Sequence, residues 1–199
     1  PFVISAIDMD PFFAGYFFIG CSYTQQNCFL SMYMPSKEQF FQIGRRNLPP
    51  NAQNLKVISR RDLVYFTSGN NIYVSSLTDF DADLQFFSFP EFSGYDAITE
   101  MQINRTSRAV GPNPTVAPFS GINIQAWMIL DSQELFQVDL SSRQILNSIF
   151  IKQGLTAQSI SIFDTTVLYA GIESKSSSAM LLSLAHLHDG GSPFILPSA

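Results

Sequence analysis

Cys21 and Cys28 are the only cysteines in the chain, and their spacing bears on redox chemistry. With Thr24-Gln25 at the centre of a turn, counting outward sets the two opposite each other on neighbouring strands. Cross-strand Cβ atoms lie about 4.5 to 5.5 Å apart, close to the reach of a disulfide, so a bridge needs only modest adjustment. Such a bond persists in an oxidising compartment and not in cytosol. The competing reading is a pair of buried free thiols that behave as small hydrophobes.

Metal chemistry has two candidate sites. In His186-Leu187-His188-Asp189 the two imidazoles share one face of a strand, because alternate residues do. No third ligand accompanies His186 and His188, and Gly190-Gly191 follows, so the pair reads as a solvated chain end. Asp8-Met9-Asp10 offers two carboxylates, whereas Ca²⁺ takes roughly six to eight oxygen ligands. It reads as an acidic turn before Pro11. No metal and no cofactor is expected.

Nucleophilic catalysis finds little to work with. There is no Gly-x-Ser-x-Gly elbow, no GxGxxG, no Walker loop and no cysteine near a histidine, so no catalytic residue is assigned. Asp131, Asp139 and Asp164 could converge as carboxylates in a central channel, but each sits at a turn or strand end where its side chain can bond backbone amides. Asn104-Arg105-Thr106 is the sole N-x-[ST] sequon and makes Asn104 the candidate for a glycan.

Composition narrows the partners. The net charge is −5, and the basic residues fall in short pairs such as Arg45-Arg46 and Arg60-Arg61, not in a stripe, which argues against nucleic acid. No apolar run approaches the ~20 residues that span a bilayer. Charged residues make up 14% of the chain, against about 25% in typical soluble domains. Such a surface does little to discourage association.

The elements that would carry these residues are strands. The 19 Phe and 7 Tyr, with many Val, Ile and Thr, suit a pleated surface better than a helix. Period-2 alternation gives four strand-turn-strand units: Tyr16–Tyr23 with Asn27–Met34, Leu63–Thr67 with Ile72–Leu77, Ala126–Leu130 with Leu135–Leu140, and Thr166–Ile172 with Ala179–Leu184. Flanking runs at Leu55–Ser59, Gln144–Ile151 and Gln158–Phe163 bring each module to four strands. The stretch from Phe92 to Gly121, with Gly111-Pro112-Asn113-Pro114, reads as an irregular loop insertion without strand pattern.

Leu63 to Leu77, Trp127 to Leu140 and Val167 to Leu184 resemble the middle hairpins of β-propeller repeats, of the quinoprotein-like or YVTN type; the second hairpin is also similar to sema-type blades. Val138-Asp139-Leu140-Ser141-Ser142-Arg143-Gln144-Ile145-Leu146 is the closest stretch. The quinoprotein docking Trp, the WD40 pairs and the kelch double glycine are all missing, so no cofactor chemistry is inherited. The resemblance implies an all-β fold for residues 1–199, a propeller or propeller fragment of about four four-stranded antiparallel blades. The alternative is a β-sandwich.

Pro1 in place of an initiator Met leaves two readings, a removed signal peptide or a piece of a longer chain. The expected role is a non-enzymatic, extracellular or secreted structural module that meets protein partners, or further copies of itself, through blade edges and aromatic surface. The alternative role is a propeller enzyme or carbohydrate-binding module with its site in the central channel.

Overall fold

A computed structural model describes residues 2–10, 15–58, 62–79, 83–103, 124–151, 155–163, 166–173, 180–186 and 194–195. The fold is all-β, built from antiparallel four-stranded sheets whose strands follow one another in sequence order. The contacts divide into two compact units, Pro1–Ala97 and Ile98–Ala199.

The first unit holds two sheets. Sheet 1 runs β1 (Phe2–Asp10), β2 (Gly15–Ser22), β3 (Cys28–Met34) and β4 (Gln39–Leu48). Sheet 2 runs β5 (Gln53–Ile58), β6 (Leu63–Ser68), β7 (Asn71–Ser76) and β8 (Gln85–Phe87). One face of sheet 1 meets sheet 2 in a core that includes Phe17, Ile19, Leu30, Leu55, Val57 and Phe66, all buried. β1 and β5 lie next to each other. The Asp8 carboxylate ties them, accepting the Val57 amide at 2.7 Å. Asp8 is therefore a strand residue with a partner on the next sheet. It does not belong to an acidic turn before Pro11, because β1 continues through it.

The second unit repeats the plan. Sheet 3 comprises β9 (Ile98–Ile103), β10 (Gln125–Leu130), β11 (Glu134–Asp139) and β12 (Gln144–Phe150). Sheet 4 comprises β13 (Leu155–Phe163), β14 (Thr166–Glu173), β15 (Met180–His186) and β16 (Phe194–Ile195). Trp127, Ile129, Leu135, Ile151, Ala157 and Ile160 form the core of this unit. β9 corrects the reading of 92–121 as a loop without strand pattern over residues 98–103, while 104–121 lie outside the described residues. Its inward residues Ile98 and Met101 are three apart, so a bulge breaks the alternation that marks a strand.

That bulge belongs to a series. In every sheet the first strand carries one extra residue against the second: Ser5 in β1, Thr99 in β9, Gln158 in β13, and one within Asn54-Leu55 of β5. Three of these sites use a polar side chain to close the gap. Ser5 Oγ lies 3.4 Å from Ile19 O across its gap and also reaches Ala52 O at 2.8 Å ahead of β5, Thr99 Oγ1 donates to Ile129 O at 3.2 Å, and Asn54 Nδ2 to Thr67 Oγ1 at 2.9 Å.

A second device recurs at the turn of each described middle hairpin, which grips the chain leaving its sheet. Asn51 N–H donates to Gln25 O at 2.8 Å, and Ala157 N–H to Ser132 O at 2.9 Å. At the β6–β7 turn, Gly69 takes φ +57°, a left-handed conformation that glycine adopts without steric cost. The Asn70 side-chain amide beside it donates to Phe92 O at 3.1 Å and Tyr95 O at 3.2 Å. Asn70→Ala removes both bonds. It is expected to lower the urea midpoint by the equivalent of about 1 to 2 kcal/mol with the slope unchanged.

Candidate functional site

Residues paired across antiparallel strands project to the same face, so the register of sheet 1 sorts its side chains into two sets. Phe17, Ile19, Cys21, Cys28 and Leu30 turn toward sheet 2. The opposite face carries Phe2, Ile4, Ile7 and Met9 from β1, which pair with Ser22, Gly20, Phe18 and Tyr16 of β2. The bulge at Ser5 holds Ile4 and Ile7 on one side although three residues separate them. Phe29 and Tyr33 of β3 extend this face, and Phe40 of β4 pairs with Tyr33.

This outer face is apolar and open. Phe2, Ile4, Ile7, Met9, Tyr16 and Phe40 are between 41% and 69% exposed. The rings brace one another: Phe2 meets Phe29 edge-on at 4.9 Å, Phe18 meets Phe40 at 5.9 Å, and Tyr33 lies 4.5 Å from Phe40. Gly20 makes room for this, since a Cβ there would sit 2.5 Å from Cζ of Phe29. The Phe29 ring lies across the glycine, a cross-strand device that shields backbone with an aromatic face. None of the residues named on this face carries a charge.

The residues singled out from sequence fall elsewhere. Cys21 and Cys28 are register partners joined by a disulfide, S–S 2.11 Å with Cα atoms 4.1 Å apart, and both are fully buried in the core between sheets 1 and 2. Ser22 N–H donates to Asn27 O at 2.8 Å, so the next pair inward is a narrow, non-hydrogen-bonded one, where side chains come closest. Asp139 is buried, and its Oδ1 accepts the amides of Ser141 at 2.8 Å and Ser142 at 3.0 Å, a turn-forming role. Asp131 occupies the β10–β11 turn at φ +46°. His186 ends β15 opposite Thr166. Asn104, Asp164 and His188 lie outside the described residues. Among the described residues, no group of three or more His, Cys, Asp or Glu is placed to hold a metal ion.

Asp62 escaped the sequence reading. It precedes β6 at φ +57° and accepts hydrogen bonds at Oδ2 from the hydroxyls of Ser76 and Thr78, which lie at the end of β7 and just beyond it. Burial pushes this carboxyl upward, but the Ser76 and Thr78 hydroxyls and the Leu77 and Thr78 amides outweigh it and hold it below the ordinary carboxylate value. The available signal was an Asp before one strand and a Ser-x-Thr leaving its hairpin partner.

Two tests follow from this geometry. Replacing both cysteines with serine, or reducing the bond, is expected to cost about 2.5 kcal/mol for so short a loop, and intact mass before and after alkylation reports the bond directly. For Asp62 the folded-state value is the lower one, so its stabilisation is complete above the ordinary carboxylate range and is lost as pH falls through the folded value. Asp62→Asn keeps the shape and should cost about 1 kcal/mol at neutral pH, a gap that closes in acid when unfolding is followed in urea at both.

No protein-family model matches the chain, and no curated protein matches it. Among solved structures the chain is similar to U3-55K, at 8% identity and a TM-score of 0.63 over 98% of this chain and 51% of that one. It is similar to hydrazine synthase of Kuenenia stuttgartiensis, at 9% identity and a TM-score of 0.66 over 97% of this chain and 49% of that one. A chain of a nidogen/laminin complex matches at 11% identity and a TM-score of 0.61, over 98% of this chain and 65% of that one. The chain thus spans between 49% and 65% of the length of these structures. At such identities the likeness is one of fold alone.

Proposed function

We propose that the chain forms consecutive blades of a β-propeller and acts as a non-enzymatic, extracellular structural or protein-interaction module. Contiguity of each sheet in sequence supports blades over a sandwich, since Greek-key sandwiches send successive strands to different sheets. The bulged first strand, repeated in all four sheets at intervals of roughly 45 to 60 residues, is consistent with a blade repeat. The buried Cys21–Cys28 bridge suits an oxidising compartment.

The observation that carries an interaction role is the outer face of sheet 1. Monomeric proteins rarely expose a contiguous apolar patch larger than a few hundred Å², and larger ones mark interaction sites. Hydrophobic-interaction chromatography of the dilute, folded chain tests this reading. Ile4→Lys and Ile7→Lys should each elute clearly earlier than the parent at unchanged melting temperature. Retention that neither substitution alters would show the face to be covered and would sink the reading.

A further inference from the structure

We infer that the Cys21–Cys28 bridge is a redox latch on the junction between sheets 1 and 2: reduced by a soluble dithiol, it loosens the bonds that seat the β4–β5 connection on sheet 1, and re-formed, it restores them. The surroundings of the two sulfurs carry this. Cys28 Sγ lies 3.7 Å from Gln25 O, the carbonyl that accepts the Asn51 amide at 2.8 Å. Cys21 Sγ lies 3.8 Å from Ala52 O and 3.5 Å from Ser5 Oγ, and Ser5 Oγ donates to Ala52 O at 2.8 Å. Each sulfur thus stands against one of two bonds that hold the same short connection.

While the bridge is intact neither sulfur carries a proton, and both carbonyls are left to Asn51 and Ser5. Reduction changes both ends at once. One thiolate of the dithiol attacks a bridge sulfur and forms a mixed disulfide, its second thiol displaces the protein, and it leaves as a cyclic disulfide; Cys21 and Cys28 keep the two electrons and two protons as thiols. The sulfurs then rest at van der Waals contact instead of bonding distance, inside a fully buried and close-packed site. Each new S–H finds in Gln25 O or Ala52 O an acceptor already in use. Gln25 and Asn51 themselves sit at φ +58° and +57°, left-handed conformations that residues other than glycine keep only where their surroundings hold them. The plan of the fold does not demand a bridge for such a grip, because the β10–β11 turn holds Ala157 through Ser132 O in a hairpin without cysteine. The grip in turn covers the sulfurs, so by linkage whatever weakens it makes the bridge easier to reduce.

Native-state amide exchange of the oxidised and the dithiol-reduced chain tests the inference. In the reduced chain the Asn51 amide is expected to exchange about tenfold faster, over and above any acceleration of the Val57 and Leu77 amides in the same unit, and reoxidation restores the first rate. Ser5→Ala gives a second readout. In a glutathione redox buffer its equilibrium should move toward the dithiol form by roughly threefold or more, whereas Thr99→Ala, which removes the bulge hydroxyl of sheet 3, leaves the equilibrium where it was. Exchange that rises equally at Asn51, Val57 and Leu77 means that the bridge acts only through the unfolded chain, and overturns the inference. A reduced chain that no longer folds, or a Ser5→Ala variant with the parent's redox equilibrium, overturns it as well.

Discussion

The backbone at the tip of a hairpin has amides and carbonyls that no strand satisfies, and in this chain those groups hold neighbouring segments together. A buried backbone group without a partner costs as much as a lost hydrogen bond, so the pairing is close to obligatory. Here the carbonyls of Gln25 and Ser132 accept amides of segments beyond the hairpin's own sheet, and at the third turn the Asn70 side-chain amide reaches such a segment instead. Each turn therefore does two things: it reverses one strand and it sets where the next sheet begins. The Val57-to-Asp8 and Ser5-to-Ala52 bonds add the same constraint along the first strands of the first unit. Apolar burial then fills the space that these bonds define, and Phe17, Ile19, Leu55 and Phe66 close it.

Sheet 1 is packed on one side against sheet 2, while its second side presents open apolar surface. A sheet with one face unfilled has forgone much of the burial that would hold it. It is also the sheet with the covalent staple. The Cys21–Cys28 bridge sits directly beneath the turn that receives Asn51, so the hairpin keeps its shape without help from the outer face. The β10–β11 hairpin of the second unit closes through a three-residue turn and backbone bonds, and its strand β10 is buried along nearly its whole length. An open apolar face and an internal covalent brace thus occur together on the same sheet.

The middle hairpins were legible in sequence because both signals agreed: alternation along Leu63–Thr67 or Ala126–Leu130, and turn chemistry at Gly69-Asn70 or Asp131. The cysteine pairing was legible for the same reason, since counting outward from a turn needs no long-range knowledge. β9 was not, because its bulge at Thr99 puts Ile98 and Met101 out of phase. The role of Asp8 was hidden by distance, as its partner Val57 lies far along the chain. The open apolar face was hidden by excess: Tyr16-Phe17-Phe18-Ile19 is apolar on both sides, and composition cannot tell that Phe17 is buried while Tyr16 is open. Only the stacking of sheet 2 on one side decides which ring faces water.

The extra residue in β1 has a consequence for descent. Without Ser5 the strand Phe2–Asp10 alternates cleanly, with Phe2, Ile4, Ile7 and Met9 on one side and Val3, Ala6 and Asp8 on the other. A bulge lets a strand gain or lose one residue while every other side chain keeps its face. Relatives of this chain can therefore differ in length at residue 5, and at Thr99 and Gln158, without turning a strand inside out. An alignment that spreads such a gap elsewhere along the strand would exchange inner for outer residues, so these polar positions are the natural anchors for aligning the sheets with one another.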